Sequence, residues 1–246
     1  MNILVTNDDG IFAPGLEMLA VWARKLGNVT VMAPKTEQSA KSQSINIHTP
    51  FEVRRIDWLE GIDCYSVDSA PADCVRFAFT AMDRKFDLIL SGINRGLNLG
   101  EDIAYSGTLA AVFEAAYYKT RAIAFSTVPE TLRWAGENLD RCYDHITKNN
   151  WFEHSMTFNV NIPAECRGIL LTRQRDKAFY RDSFKEIEPG HFLAHGESVF
   201  RGAQDLSEDL DACMSGYISI TPMTVNHTNL EAYSKLAGTS KSPLNS

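Results

Sequence analysis

Short apolar runs alternate along this chain with longer stretches whose apolar positions recur every three to four residues. Ile3-Leu4-Val5, Val29 to Ala33 and Phe86 to Leu90 read as buried strands, and Arg121 to Ser126 and Met156 to Asn161 continue the series. Pro14 to Leu26 carries Leu16, Leu19, Ala20, Ala23 and Leu26 on one helical face, with Gly27 as its stop. Helices are also predicted from Pro71, at a first-turn position, through Met82, over Leu109 to Ala116, and over Glu130 to Asn149. Strand, helix, strand with short links is the βαβ pattern, which predicts parallel pairing. Residues 1–165 are therefore expected to form a Rossmann-like, doubly wound, mostly parallel α/β core, with a β-hairpin somewhere in the alternating stretch 45–67.

From residue 166 the pattern changes. Short strand-like pieces and turns fill 167–203, a short helix is expected at 206–214 and a returning strand at 217–221. Leu230 to Leu236 reads as a docking helix. We expect 166–236 to form a hairpin-bearing arm and 237–246 to form a loose polar tail. Arg167, Arg173, Arg175, Lys177, Arg181 and Lys185 cluster near the start of the arm, which suits either a reaching hairpin or a solvated charged face.

Composition changes this picture little. The chain is 44% hydrophobic and 22% charged with a formal charge of −7, which leaves no electrostatic footprint for a nucleic-acid polymer. Its five cysteines are scattered without CxxC spacing, as expected for idle thiols in a reducing compartment. No apolar run approaches the roughly 20 residues that span a bilayer, and no leader-like stretch precedes the first strand, so a cytoplasmic, membrane-free protein is expected.

The chemistry concentrates where strands end. The first strand stops at Asn7-Asp8-Asp9-Gly10, two adjacent carboxylates closed by a turn-forming glycine. On a straight strand the two would face opposite ways, so a shared ligand requires that the backbone turn. In open α/β sheets the carboxyl ends of strands are where ligands bind, and an acidic pair there suits a hard divalent cation; a helix cap beside a solvated Asp is the plainer alternative. No dinucleotide glycine fingerprint and no P-loop occupies this turn. The polar loop 35–44 follows the second strand on the same edge, so Ser39 could reach the pair. Ser91-Gly-Ile-Asn94-Arg-Gly-Leu-Asn98-Leu-Gly100 follows the strand ending at Leu90 and offers Asn carbonyl oxygens for a cation and amide donors for a phosphate. Tyr105-Ser106-Gly107-Thr108 opens a helix and presents free amides, either as a phosphate seat or as an ordinary cap. His191 and His195 lack a third ligand, which argues against zinc.

Taken together these segments resemble the SurE family, the survival-protein-E nucleotidases. The resemblance rests on Ile3 to Gly10, Ala33-Pro34 with Gln38-Ser39, Ser91 to Gly100 and Tyr105 to Thr108, with weaker matches at Ala72-Asp-Cys-Val75, Phe158 to Pro163 and Gly216 to Pro222. It implies a Mg²⁺- or Mn²⁺-dependent phosphatase acting on nucleoside 5′- and 3′-monophosphates. Carried over by position, Asp8, Asp9, Ser39 and Asn94 would hold the metal, and Ser106, Gly107 and Thr108 the phosphate, with Asn94 shared. It also implies homodimers or homotetramers built partly by an exchanged C-terminal arm. This chain departs from the family pattern at Ser39-Ala40, where Gly usually follows Ser, at Ser69-Ala70-Pro71, and at Phe192-Leu-Ala-His-Gly196, which lacks a frequent Trp-containing turn.

The expected reaction is hydrolysis by a metal-activated water, with Asp8 or Asp9 serving as a ligand or as a general base. A covalent Asp8 nucleophile is the mechanistic alternative. A broader phosphatase taking short polyphosphate or other phosphoesters, and a non-catalytic nucleotide-binding module, are the functional alternatives.

Overall fold

The apolar runs become the middle of one large sheet. The computed structural model describes residues 1–82 and 84–237; the expected tail beyond Ala237 lies outside the described residues. In chain order the first half comprises β1 (Asn2–Thr6), α1 (Pro14–Ala23), β2 (Asn28–Pro34), β3 (Val53–Ile56), β4 (Asp63–Val67), α2 (Pro71–Thr80), β5 (Leu88–Arg95) and α3 (Gly107–Tyr117). It continues with β6 (Arg121–Thr127), α4 (Leu132–Lys148), β7 (Thr157–Ile162), β8 (Gly168–Leu171), β9 (Tyr180–Glu188), β10 (His191–Ser198), α5 (Asp209–Met214), β11 (Tyr217–Met223) and α6 (Leu230–Ala237).

The sheet runs in the order β3-β4-β2-β1-β5-β6-β7-β11-β8. The strands from β4 to β7 are mutually parallel, while β3 at one edge and the β11–β8 pair at the other run against them. Successive residues of a strand point to opposite faces. Ile3 and Val5 accordingly pack with α1 and α4 residues such as Leu16, Leu19, Leu139 and Ile146, while Leu4 packs with Val75, Ala78, Leu109 and Val112 of α2 and α3. With helices on both faces, each central strand is buried on both sides, which is why the runs are continuously apolar and not alternating.

The path from β1 goes outward to β2 and β4, then returns through α2 to place β5 on the other side of β1. The reversal leaves a crevice at the carboxyl ends of β1 and β5, the place where open α/β sheets take ligands.

Several expectations shift in detail. The glycine-rich stretch does not leave the sheet at Leu90: β5 runs on to Arg95, and after a register shift Asn94 pairs with Ser126 and Arg95 with Thr127. Long-range pairing here overrides a composition that reads locally as loop. The hairpin expected within 45–67 is β3–β4, whereas Ile45 and Ile47 are exposed outside any strand. α1 ends at Ala23, before the predicted Leu26. Beyond residue 166, β11 and β8 extend the core sheet, and among the described residues β9 and β10 form a separate two-stranded hairpin. The helix expected to dock, α6, buries no residue. The basic cluster is not uniformly solvated: Arg173 pairs with Asp205 and Glu208, and Arg175, only 12% exposed at its side chain, pairs with Asp211 at 2.5 Å.

Candidate active site

The turn after β1 is built by its own residues. Asn7 Nδ2 donates to Gly10 O at 2.9 Å, and Gly10 holds a φ of 105° that side-chain-bearing residues rarely adopt. The Ile11 amide then donates to Pro34 O at 2.7 Å, tying the turn to the end of β2. The strand ends at Thr6 and the backbone bends at Asp8 and Asp9, close enough together that the Asp9 charge is felt at Asp8.

Three remote segments close on this turn. From the loop after β2, the Gln38 amide donates to Asp8 O at 2.8 Å. From the end of β5, the Arg95 amide donates to Asp9 Oδ2 at 3.3 Å. From the start of α3, Thr108 Oγ1 donates to Asp8 Oδ1 at 2.5 Å. Gly107 is required by this approach, since a Cβ there would lie 2.7 Å from the Asp8 Cβ and 2.8 Å from its Oδ2.

Asp8 is only 4% exposed and Asp9 is half-buried. Burial pushes the Asp8 carboxyl up to about 6; the Thr108 hydroxyl opposes the rise and the neighbouring Asp9 charge adds to it. Asp9 is also raised, first by burial, then by the charge of Glu37, against the Arg95 amide and guanidinium. The net field is that of two desolvated carboxylates with a third acid nearby and one partly offsetting arginine, an arrangement that a bound cation would relieve.

Of the residues singled out in the sequence, Asp8, Asp9, Gly107 and Thr108 are brought into direct proximity. Ser106 caps α3, its Oγ accepting from the Leu109 amide at 3.2 Å, so the cap reading is realised; the amides of Gly107 and Thr108, at the first helical positions, have no intrahelical acceptor. Thr108 turns its hydroxyl onto Asp8 and so orients a carboxylate. Asn94 sits one residue from the Arg95–Asp9 contact, and its Nδ2 donates to Gly96 O at 2.8 Å. Ser39 Oγ donates not to the acidic pair but to Glu37, at 2.7 Å.

Glu37 and Asp209, which sequence reasoning did not single out, and three asparagines assigned to no site there complete the surroundings. Glu37 lies between Ser39 and Asp9 electrostatically; its signal was an acid in a polar loop on the right sheet edge. A buried asparagine lattice shapes the glycine-rich loop: Asn159 and Asn161 both donate to Asn98 O at 2.8 and 2.9 Å, and Asn98 Nδ2 donates to Ser126 at 2.8 Å. The legible sign was the pair of asparagines inside the otherwise apolar strand Thr157–Ile162. The far end of that loop is held by Asp209, fully buried, which accepts from the amides of Gly100 and Arg175 at 3.0 Å each.

The donor set fits a hard cation. Among the described residues no group of three or more His, Cys, Asp or Glu side chains is arranged for a metal, so a nitrogen- or sulfur-rich site of the zinc type is not built here. What is built is two carboxylates beside hydroxyl and amide oxygens, with the buried Asn7 Oδ1 lacking any partner. Oxygen donors of this kind suit Mg²⁺ or Mn²⁺.

The family model described as Survival protein SurE matches residues 3–181. The chain belongs to the SurE family. Among curated SurE relatives, the 5′-nucleotidase SurE of Natranaerobius thermophilus is 34% identical over 254 residues, covering 96% of this chain and 98% of that protein. The 5′-nucleotidase SurE of Thermosipho africanus is 37% identical, covering 96% of each chain. The crystal structure of the SurE protein from Aquifex aeolicus superposes with a TM-score of 0.78 at 32% identity, covering 98% of this chain and all of that one. The expected α/β fold with its separate hairpin is thus the SurE fold.

Proposed function

We propose that this chain is a metal-dependent phosphomonoesterase that releases phosphate from nucleoside 5′-monophosphates, and from 3′-monophosphates at the same seat. One observation carries the reading: the ends of β1, β2 and β5 and the start of α3 all contact the Asp8–Asp9 turn at the switch point of the sheet. The relatives named 5′-nucleotidase point to the same substrate class.

In this proposal Asp8, Asp9, the Ser39 hydroxyl and the Asn94 carbonyl oxygen hold Mg²⁺ or Mn²⁺. Bound there, the cation supplies Lewis acidity toward the phosphoryl group and an acidified water. The chain's own residues do the rest. Thr108 locks Asp8, the Arg95 amide locks Asp9, and Gly96 O takes the Asn94 amide nitrogen, which leaves the carbonyl oxygen of that side chain for the cation. Ser106 and the amides of Gly107 and Thr108 meet the phosphate at the positive end of α3. Ser39 reaches the cation by releasing Glu37.

The proposal extends to assembly and location. One face of the β9–β10 hairpin carries Tyr180, Phe184 and Phe192, all exposed. An isolated two-stranded hairpin is marginal in water, so a second copy of the chain, in a homodimer or homotetramer, is its natural cover. All five thiols are free, four of them buried, which suits the reducing cytoplasm; no described helix is long and apolar enough to cross a membrane.

Phosphate release across 5′- and 3′-monophosphates, other phosphoesters and tripolyphosphate, with and without Mg²⁺ or Mn²⁺, tests the reading. Metal-dependent turnover favouring nucleotides is expected. Metal-dependent nucleotide binding with no release would replace it with a binding module.

A further inference from the structure

We infer that Asp209 is a positioning residue for the phosphate seat, acting on it through the 3₁₀ helix Gly100–Tyr105. The inference rests on the seat proposed at Ser106 to Thr108, because that helix ends where the seat begins. Its six residues span about 12 Å. Runs of 3₁₀ helix beyond three or four residues are uncommon, because their hydrogen bonds are poorly aligned. This one depends on what grips its two ends.

At the far end, the Ser106 amide donates to Ile103 O at 3.1 Å and the Ser42 amide to Tyr105 O at 3.0 Å. At the near end, Leu99 has no polar side chain to cap the Gly100 amide. Asp209, 109 residues away, supplies the cap: its Oδ2 accepts from that amide at 3.0 Å. Its Oδ1 accepts from the Arg175 amide at 3.0 Å and the Leu210 amide at 2.7 Å. Gln174 Nε2 closes the joint by donating to Gly100 O at 2.9 Å. Gly100 holds a φ of 55°, and a Cβ there would lie 2.6 Å from Lys177 O. Around the joint Leu99, Leu210 and Cys213 are buried against Leu97, Phe179 and Phe200.

A carboxylate taken out of water is costly unless its oxygens are bonded, and its bonds to amides are of the stronger, charge-assisted kind. Asp209 is fully buried, and its bonds join the glycine-rich loop to the entry of the arm and to α5. The Asn94 side of the loop is held separately, by the pairing of Asn94 with Ser126 and by the asparagines around Asn98. Loss of the Asp209 cap is therefore felt toward Ser106, at the phosphate, and not toward the cation. Asp211 provides the control. It is fully buried on the same helix and accepts from the Gln204 and Asp205 amides and from Arg175 Nη1; none of these bonds reaches Gly100.

In Asp209→Asn one carboxylate oxygen becomes an amide nitrogen. Placing it toward Gly100 loses one bond instead of two, so the substitution releases the 3₁₀ helix selectively. Binding of inorganic phosphate, read by calorimetry with Mg²⁺ present, should weaken roughly fivefold or more. KM for AMP should rise by about the same factor with kcat changed less than about threefold, and Mn²⁺ affinity without phosphate should stay within about twofold. Asp211→Asn should lower the melting temperature to a similar extent, with phosphate affinity and KM within about twofold of wild type. Gln174→Ala loosens the same joint without touching a buried charge and should weaken phosphate binding about two- to threefold, so the test survives if Asp209→Asn does not fold. An Asp209→Asn chain that melts lower yet binds phosphate as the wild type does, or a matching loss in Asp211→Asn, overturns the inference and leaves Asp209 as a brace of the fold. A wild type that binds phosphate but turns over no AMP removes the phosphatase reading, while phosphate binding still judges Asp209. A wild type that binds no phosphate overturns both the seat and the inference.

Discussion

Two regions of this molecule place side chains against the ordinary rule. At the β1 turn, carboxylates are buried, Asp8 to 4% exposure; on the β9–β10 hairpin, aromatics are bared, Phe184 to 71%. In the function proposed, both violations mark where something beyond the single chain completes it. They differ in how firmly they are held. The acidic turn is gripped by contacts from residues 38, 95 and 108, so its geometry precedes its ligand and a single small ion can satisfy it. The hairpin is anchored near its base, where Arg173 and Arg175 pair with Asp205, Glu208 and Asp211. Beyond that nearly all of its residues are exposed, and in the proposed assembly a second copy of the chain covers it.

The comparison breaks most sharply at Asp9. Asp9→Ala removes one of two proposed anionic ligands without disturbing the core, since Asp9 is half-buried and its carboxylate accepts from the Arg95 amide. Turnover should fall at least about a thousandfold, on the order of 4 kcal/mol of barrier, while the melting temperature stays close to wild type. Near-wild-type turnover would remove the acidic pair from the mechanism.

The hairpin should respond in the opposite sense, losing assembly but not fold. Phe184→Ser with Phe192→Ser strips two aromatics from the exposed face. At roughly 1.5–3 kcal/mol for each aromatic buried, the pair should weaken self-association by roughly 3 kcal/mol or more, visible in sedimentation velocity over a dilution series. Monomer stability should move by about 0.5 kcal/mol or less. An unchanged oligomer would show that another surface carries the contact.

Asp8 tests the burial side of the comparison. Its carboxyl rises from the ordinary 3.8 to about 6 in the folded chain, so folding favours the protonated form. The penalty is absent below about pH 4, develops between pH 4 and 6, and is complete above the folded value. At about 1.4 kcal/mol per pH unit the ceiling is ~3 kcal/mol, and relaxation of the turn brings the expectation to about 2 kcal/mol. Asp8→Asn keeps an oxygen for Thr108 and should melt higher than wild type at pH 8 without divalent ions, with the gap closing at pH 4. Mg²⁺ should raise the wild type and leave the variant unmoved.

How much of this was legible depended on whether the deciding contacts were local. Ile3 to Val5, Val29 to Ala33 and Phe86 to Leu90 announce their strands because burial on both faces demands continuous apolar runs. Asp8 and Asp9 stand out because they end such a run at the carboxyl edge of the sheet, although the turn alone suits a helix cap as well as a cation. The Thr108–Asp8 bond joins residues 100 apart, and no pattern within α3 could distinguish a hydroxyl aimed at phosphate from one aimed at a carboxylate. The extension of β5 to Arg95 was hidden for the same reason: its glycines and asparagines read as loop until β6 is beside them. Ser39 illustrates a third limit: its hydroxyl donates to Glu37 two residues away, and nothing in the composition of that polar loop ranks this partner above the acidic turn.

The smallest predicted effect falls on the loop that carries Ser39. Ala40 holds a φ of 57°, where a Cβ is disfavoured by roughly 1–2 kcal/mol and where the SurE pattern usually places glycine. Ala40→Gly removes that penalty, but the more flexible unfolded chain takes back about 0.4–1 kcal/mol. The net gain is expected to be roughly 0.5–1 kcal/mol, a rise in melting temperature of about 1–4 °C for a chain of this size. Because the loop is also tied through Gln38 to Asp8, turnover should change less than about twofold. A fall in stability would mean that the Ala40 side chain makes a compensating contact; a large fall in turnover would mean that this strained residue, and not the hydrogen bonds on either side of it, sets the position of Ser39.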